Sequence, residues 1–272
     1  MTDFSAANRL NWDNRAELHA TDETGTYMID RVLGGGSALH DLELKELGDV
    51  SGKDIVHLQC HIGLDTISLK NIGAKSVTGL DFSPKAISTA RDFAERAGAD
   101  VRFVEASVYD APQALGETYD IVFVTWGAIN WLDDIVRWAE VVSALLRPGG
   151  RLYLLEGHPQ MNQFEARDGK LDLEFDWRTP ANKPLTFDDA QTYTGDARKL
   201  TATRCYEWIH PLSDVVNAIL GAGLALDFLN EHDIVIWKPF PFVVEAGEDQ
   251  YALPEGQIKI PMSFSIGATK RG

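Results

Sequence analysis

The chain predicts a doubly wound α/β fold, in which a mostly parallel sheet is covered by helices on both faces. Three observations carry this. A short apolar run, residues 55–58, ends in a loop that opens a helix, and a second apolar run follows and ends on Asp81. Strand-like and helix-like segments then alternate as far as residue 155. The helices are sharply punctuated, by Ser83-Pro84 at one start and by Gly98 and Pro148-Gly-Gly150 at two ends, residues that suit caps and turns. Strands at this rhythm form a parallel sheet buried on both faces. Right-handed crossovers place their C-terminal ends along one edge, where such sheets hold their ligands.

Residues 8–47 read as helix, break, helix, with Trp12 and Leu18 in the first segment and Gly34-Gly-Gly36 interrupting the second, which resumes at Ser37. The first strand is 55–58, a helix opens over 65–69, and the second strand is 76–80. Ser83-Pro84 starts a helix whose Ala86, Ile87, Ala90, Phe93, Ala94 and Ala97 share one stripe, the period of an amphipathic helix. Strands three and four are 101–104 and 119–124; a helix then buries Ile135, Trp138, Ala139, Val142, Leu145 and Leu146, and strand five is 151–155. Over residues 160–205 the rhythm breaks. Leu171, Leu173, Phe175 and Trp177 alternate with acids, which predicts a half-buried antiparallel strand. A structureless loop of about 45 residues is disfavoured, so this segment reads as a small lid or subdomain. A helix over 211–220 and two late strands, 224–230 and 258–268, end the chain. Four parts result: an N-terminal helical cap (1–48), a ligand-binding core (49–159), a substrate-side insert (160–209), and a C-terminal part that completes the core (210–272).

The chain has 272 residues, 44% of them hydrophobic, enough for one sizeable core. Its 25 Lys and Arg against 41 Asp and Glu give a net charge of −16. Such a surface repels phosphate backbones, so no nucleic-acid partner is expected. Cys60 and Cys205 make no disulfide framework, which fits a reducing compartment. The N-terminus has no signal-peptide pattern and no apolar run approaches a spanning length, so a cytoplasmic location without membrane contact is expected.

The chemistry concentrates in the loop after strand one and in Asp81. A helix N-terminus offers free N–H groups and a positive dipole end, and Gly63 would permit close approach of a ligand. Asp81, 18 residues after Gly63, ends strand two where a carboxylate can accept hydrogen bonds from ribose hydroxyls. A nicotinamide enzyme would want G-x-G-x-x-G to hold a pyrophosphate. Here Gln59 and His61 stand where two of those glycines would be, which favours a nucleoside without phosphates. A nicotinamide-dependent oxidoreductase and a non-catalytic cofactor-binding protein remain as alternatives.

The motif His57-Leu-Gln-Cys-His-Ile-Gly-Leu-Asp-Thr66, with Val77-Thr-Gly-Leu-Asp-Phe-Ser83, Gly127-Ala-Ile-Asn-Trp-Leu132, Arg147-Pro-Gly-Gly150, Glu156-Gly-His-Pro159, Trp208-Ile-His210 and Glu231-His-Asp233, resembles a class I S-adenosylmethionine-dependent methyltransferase. More narrowly, it is similar to a bacterial small-molecule subfamily with a His-Leu-Gln-Cys-His first motif. The resemblance covers nearly the whole chain. It implies the doubly wound Rossmann-like methyltransferase fold, a mostly parallel seven-stranded sheet with an antiparallel last strand, N-terminal helices and a β-containing insert after strand five. It also implies transfer of a methyl group from S-adenosylmethionine to a small-molecule acceptor, at oxygen or nitrogen, leaving S-adenosylhomocysteine. By the same resemblance Gln59, Cys60, His61 and Gly63 line the methionine portion, Asp81 binds the ribose, Phe82 lies against the adenine, Ser107 and Val108 meet its edge, and Thr125 and Trp126 face the sulfonium. Many relatives carry Asp at the position of Ser107.

Methyl transfer from a sulfonium is an in-line displacement that depends chiefly on alignment, with a base needed only where the acceptor loses a proton. His158 follows strand five at the ligand edge, and His210 precedes Pro211 at a predicted helix N-terminus, where the dipole disfavours imidazolium. Both are candidate bases. His57 reads as structural. His57, Cys60 and His61 straddle a strand end and a loop, so no metal site is expected. Tyr27, Trp131, Tyr206 and Trp208 are candidate substrate contacts, in an aromatic pocket that Trp12 and Tyr193 would help to close. The sequence leaves the oligomeric state open.

Overall fold

The computed structural model describes residues 3–247 and 249–272. The N-terminal part holds α1 (Asp3–His19), α2 (Ile29–Leu33) and α3 (Asp41–Leu47). There follow β1 (Asp54–Leu58), α4 (Leu64–Asn71), β2 (Ser76–Asp81), α5 (Pro84–Ala97), β3 (Arg102–Glu105), α6 (Ala111–Leu115), β4 (Tyr119–Thr125), α7 (Ile135–Leu145) and β5 (Leu146–Gly157). The insert pairs β6 (Phe164–Arg167) with β7 (Lys170–Leu173), and β8 (Leu185–Asp188) with β9 (Arg204–Glu207). The remainder is α8 (Leu212–Gly221), β10 (Leu224–His232), β11 (Ile234–Val235), β12 (Val244–Gly247), β13 (Gln250–Ala252) and β14 (Ser263–Lys270).

The main sheet has seven strands in the order β10-β14-β5-β4-β1-β2-β3. β1 pairs in parallel with β2 and β4, placing Ile55 opposite Val77 and Ile121. β14 runs antiparallel to both its neighbours, with Ser265 opposite Asn230 and Leu155. The expected mostly parallel sheet with an antiparallel last strand is therefore the observed one. On one face Trp138, Val142 and Leu145 of α7 and Val215 and Ile219 of α8 pack against Val122, Leu152 and Ile266. The other face carries α4 and α5, where Ile67, Ile87 and Phe93 form one cluster with Phe103. Ser83 caps α5 by accepting from the Ala86 N–H at 3.0 Å, and Gly98 closes it in the left-handed conformation, as its sequence predicts.

Several boundaries differ from expectation. Strand five begins at Leu146, not 151, so Leu146 belongs to β5 and not to the helix before it. The third helix starts at Asp41, not Ser37, because Glu43 folds back to accept the His40 N–H at 2.8 Å and sets the cap there. The alternating run 171–177 yields strand only to Leu173; Leu173 and Trp177 are 63% and 55% exposed, so the hairpin β6–β7 is two-faced and open to solvent. The last strand begins at Ser263, and Ile258 is 79% exposed. Between β10 and β14 lies a three-stranded sheet, β11-β13-β12, that periodicity did not reveal. It closes over its own small core of Met161, Val235, Phe240, Leu253, Ile260 and Met262. No helix among the described residues is long and apolar enough to cross a membrane.

Candidate active site

The loop between β1 and α4 is held in an unusual backbone conformation. Gln59 and His61 have φ of 57° and 49°, and Trp126, just after β4, has 23°. Non-glycine residues rarely adopt this region, and such strain collects at functional sites. Gly63, at 79°, is the N-cap of α4. A Cβ on Gly63 would lie 2.7 Å from both Ala90 and Phe103, so its missing side chain makes room for α5 and β3. The freedom expected to serve ligand approach is used for packing, the use a glycine has wherever two elements meet closely.

Asp81 is 6% exposed and fixes this loop from the end of β2. Its Oδ2 accepts the His61 N–H and its Oδ1 the Ser83 N–H, each at 2.9 Å. Burial raises its pKa to about 6 against the pull of these donors. Each oxygen keeps a second lone pair, so the carboxylate retains acceptor capacity for a diol. Gln59 donates to the Ala128 carbonyl at 2.7 Å, tying the β1 loop to the β4 loop. Cys60 is buried and its thiol is pushed well up by burial. Phe82 is half-buried. Ser107 spends its hydroxyl capping the turn after β3, accepting from Tyr109 at 3.3 Å, and the Val108 side chain belongs to the core. That leaves main-chain groups there to face an adenine.

Where these loops meet, Gln59, His61, Asp65 and Trp126 each keep accessible surface, and the polar lining of the gap at the loop ends is left unsatisfied. Gln59 Oε1, His61 Nδ1, Thr125 Oγ1, Trp126 Nε1 and Asn130 Oδ1 are buried atoms without a protein partner. Buried polar atoms are almost always hydrogen-bonded, so this concentration of exceptions marks a place built for a polar ligand. These residues fit a nucleoside carrying an amino-acid tail, with Asp81 for the ribose and the unpartnered atoms for the tail. Among the described residues no group of three His, Cys, Asp or Glu side chains is placed to hold a metal.

The roof over the gap is α1 together with residues 189–208. Asn8, Asn11, Arg15 and His19 lie on one face of α1 and are buried, at 2%, 0%, 7% and 1% exposure. Asn8 bonds the Tyr206 main chain, Asn11 donates to the Ala202 carbonyl at 2.7 Å, and Arg15 donates to Asn11 at 2.7 Å. His19 meets His61 Nε2 at 2.8 Å, the Tyr27 hydroxyl at 2.8 Å and the Thr192 hydroxyl at 2.5 Å. Tyr27 in turn bonds Tyr193. Burial pushes His19 down to about 3 and His61 well below its ordinary value, so both imidazoles are neutral. Trp12 stands edge-on to His61 and to Trp131, 5.0 and 5.1 Å between ring centres.

A second cavity, of about 60 Å3, opens beside it at the ends of β4 and β5. Asn130, Glu156, Trp208, His210 and Trp237 are among its walls. Glu156 is 2% exposed and accepts from the Gly127, Ala128 and Ile129 N–H groups at 2.6, 2.7 and 2.9 Å. It shapes the whole loop after β4. Burial outweighs those donors and pushes its pKa up to about 7.

The two candidate bases part company here. His210 lines the cavity, with Nε2 2.8 Å from the Leu132 carbonyl. It is held neutral chiefly by burial; the expected dipole effect is not needed, since α8 begins two residues later. His158 is held by side-chain and main-chain groups at the end of β5. Its Nδ1 accepts the Gln160 N–H and its Nε2 meets Glu231, both at 3.0 Å, so both ring nitrogens are engaged in holding the β5 end. His57 is structural as expected, bonded to Thr66 at 2.9 Å. Of the expected acceptor contacts, Tyr27 and Trp131 reach the first gap through His19 and Trp12, while Trp208 lines the second cavity, its Nε1 donating to the Ala181 carbonyl at 3.1 Å. Tyr206 packs on Phe4, 4.8 Å between ring centres. Sequence reasoning missed His19, Arg15, Glu43, Asp65, Glu156 and Glu207. For α1 the signal was present: polar residues 8, 11, 15 and 19 recur at helical spacing, a buried face written in polar letters.

The sheet order and the site at its C-terminal edge define the fold of S-adenosylmethionine-dependent methyltransferases. Residues 56–152 match the family model described as a methyltransferase domain. The structure is similar to an S-adenosylmethionine dependent methyltransferase from Listeria monocytogenes, with a TM-score of 0.58 at 18% identity over 85% of this chain and 97% of that one. It is similar also to one from Mesorhizobium loti, with a TM-score of 0.56 at 20% identity over 84% of this chain and 96% of that one. At these identities the likeness is one of fold. In sequence the chain is 28% identical over 130 residues to ribosomal protein L11 methyltransferase of Photobacterium profundum, which takes in 46% of this chain and 42% of that protein. The chain thus spans well under half the length of that relative.

Proposed function

We propose that the protein transfers a methyl group from S-adenosylmethionine to a small acceptor, at oxygen or nitrogen. The observation that carries this is the pair of unpartnered buried atoms, Gln59 Oε1 and His61 Nδ1, in the strained loop after β1 that Asp81 holds through the His61 N–H. When bound, the cofactor supplies a methyl group on a sulfonium, a good leaving group for in-line attack. Asp81 anchors the ribose, the β1 loop holds the tail, and Trp126 borders the sulfonium, where an aromatic face favours a cation. The roof of α1 and residues 189–208 excludes water, and the acceptor is confined to the second cavity, walled by Asn130, Glu156, Trp208, His210 and Trp237. His210 is the group placed to receive a proton from an acceptor in the second cavity. A small acceptor suits that confined space better than a protein chain does.

Calorimetric titration with S-adenosylhomocysteine tests the cofactor: saturable one-site binding is expected, and no heat at millimolar ligand overturns the reading. Radiolabelled S-adenosylmethionine offered with a small-metabolite extract and, separately, with ribosomal protein L11 tests the acceptor. Label in the small-molecule fraction is expected; label in the protein alone would move the assignment to the chemistry that the sequence relative's name states.

A further inference from the structure

Arg15 is a buried cation with most of its hydrogen bonds unmade. It lies on the inward face of α1 and is 7% exposed. Among the described residues its one hydrogen bond runs from Nε to Asn11 Oδ1, at 2.7 Å, and it enters no ion pair. The N–H groups on Nη1 and Nη2 therefore have no protein acceptor. A buried guanidinium in that condition is destabilising until something anionic meets it. Two rings cover it in part: its Cζ stands 5.6 Å from the centre of the Trp12 ring and 5.8 Å from that of Tyr193. An aromatic face steadies a cation. It takes up none of the in-plane N–H groups, which form the fork that matches a carboxylate.

The neighbours of Arg15 place it under the roof. Between ring centres, Trp12 is 5.0 Å from His61 and 5.1 Å from Trp131, and Tyr193 is 5.2 Å from His19. Burial keeps His19 and His61 neutral, and Arg198, on the outside of the roof, is paired with Asp196. The positive charge under the roof is therefore that of Arg15. Glu207 feels this charge but turns to Asn130, accepting from its Nδ2 at 2.9 Å. On the same face of α1, Asn8 and Asn11 bond the main chain of Tyr206 and Ala202, in the segment that runs into Glu207 and Trp208. Trp208 and Asn130 are walls of the second cavity. Arg15 thus belongs to the side of the site assigned to the acceptor.

We propose that the acceptor is a small carboxylic acid and that Arg15 grips its carboxylate through Nη1 and Nη2, at the end remote from the atom that is methylated. This deepens, and rests on, the reading that the protein methylates a small molecule from S-adenosylmethionine. One guanidinium matches one carboxylate. A phosphate would bring a second negative charge into a protein of net charge −16, with the imidazoles beside Arg15 neutral.

The test offers radiolabelled S-adenosylmethionine with a small-metabolite extract that is treated with phosphatase and then split by anion exchange into retained acids and unretained neutral and basic compounds. Wild type is expected to label the acid pool. Arg15→Gln is expected to lower that labelling about tenfold or more, with partial recovery in Arg15→Lys, which keeps the charge and loses the fork. Calorimetry with S-adenosylhomocysteine should give Arg15→Gln the affinity of wild type, which also shows that the variant is folded. Label confined to the unretained pool, label in neither pool, or acid labelling untouched in Arg15→Gln overturns the proposal. So does an Arg15→Gln variant that loses S-adenosylhomocysteine but keeps 5′-methylthioadenosine, since Arg15 would then hold the cofactor's own carboxylate. If wild type binds no S-adenosylhomocysteine, the cofactor reading itself falls and this one falls with it.

Discussion

Two polar regions meet at the C-terminal edge of the sheet, and they are built in opposite ways. At the end of β5, Glu156 saturates three main-chain N–H groups and His158 has both ring nitrogens bonded. At the ends of β1 and β4, Gln59, His61, Thr125 and Trp126 each leave a buried polar atom unpartnered, on backbone that at three of these four positions has positive φ. The first region is finished by folding. The second is left with hydrogen-bonding capacity unused. Polar residues at a ligand edge are therefore of two kinds, and hydrogen-bond completeness tells them apart better than residue type does. The histidines show this most clearly: His158 and His210 look equivalent in sequence, and His210 lines the cavity at the ends of β4 and β5 while His158 bonds Gln160 and Glu231.

Substitutions should separate the two regions. The largest effect is expected at Glu156. Glu156→Ala strands three buried N–H groups, so a loss of about 4 kcal/mol of stability is expected by chemical denaturation; a loss under about 1 kcal/mol would mean the loop after β4 holds itself. The same residue carries a pH signature. Its folded-state pKa is raised from 4.5 to about 7, so between those values the folded chain keeps a proton that the unfolded chain has released. Stability contributed here is present at low pH and is lost as pH rises through 7. The stability difference between wild type and Glu156→Gln should move in the variant's favour by up to about 3 kcal/mol from pH 4.5 to 8. A flat difference would show the carboxylate ionised throughout.

Asp81→Ala comes next. It should weaken S-adenosylhomocysteine at least tenfold, about 1.4 kcal/mol, and an affinity equal to wild type would remove Asp81 from the ribose site. The smallest expected effects distinguish the histidines. His158→Ala should cost about 1 kcal/mol in stability, since Glu231 is half exposed, and leave turnover per folded molecule near wild type. His210→Ala should reverse this, with lost turnover and cofactor affinity intact. Equal turnover in the two variants would erase the distinction between a finished and an unfinished region at this edge.

Much of the sheet edge around the loop after β1 was legible in the sequence because local rules govern it. Strand ends, capping residues and the acid after β2 all follow from periodicity and backbone chemistry. The way the loops and the roof of α1 and residues 189–208 come together was not, because it depends on pairs far apart in the chain. His19 meets Thr192, Gln59 meets Ala128, and Asn8 meets Tyr206, contacts that no window of sequence contains. The sheet β11-β13-β12 escaped for a related reason: its strands are two to four residues long and carry too few side chains to show a period.

The chain by itself determined the doubly wound sheet, the caps of its helices, and Asp81 at the end of β2, because short-range hydrogen bonding and the alternation of apolar side chains fix each of these locally. Only the tertiary structure decided which polar groups are satisfied. It assigned Gly63 to packing against Phe103, took His158 into a closed hydrogen-bond set, and left Gln59 Oε1 and His61 Nδ1 buried without a partner. Whether a buried donor or acceptor finds a partner depends on what the rest of the chain brings to it in space, and sequence order alone does not contain that.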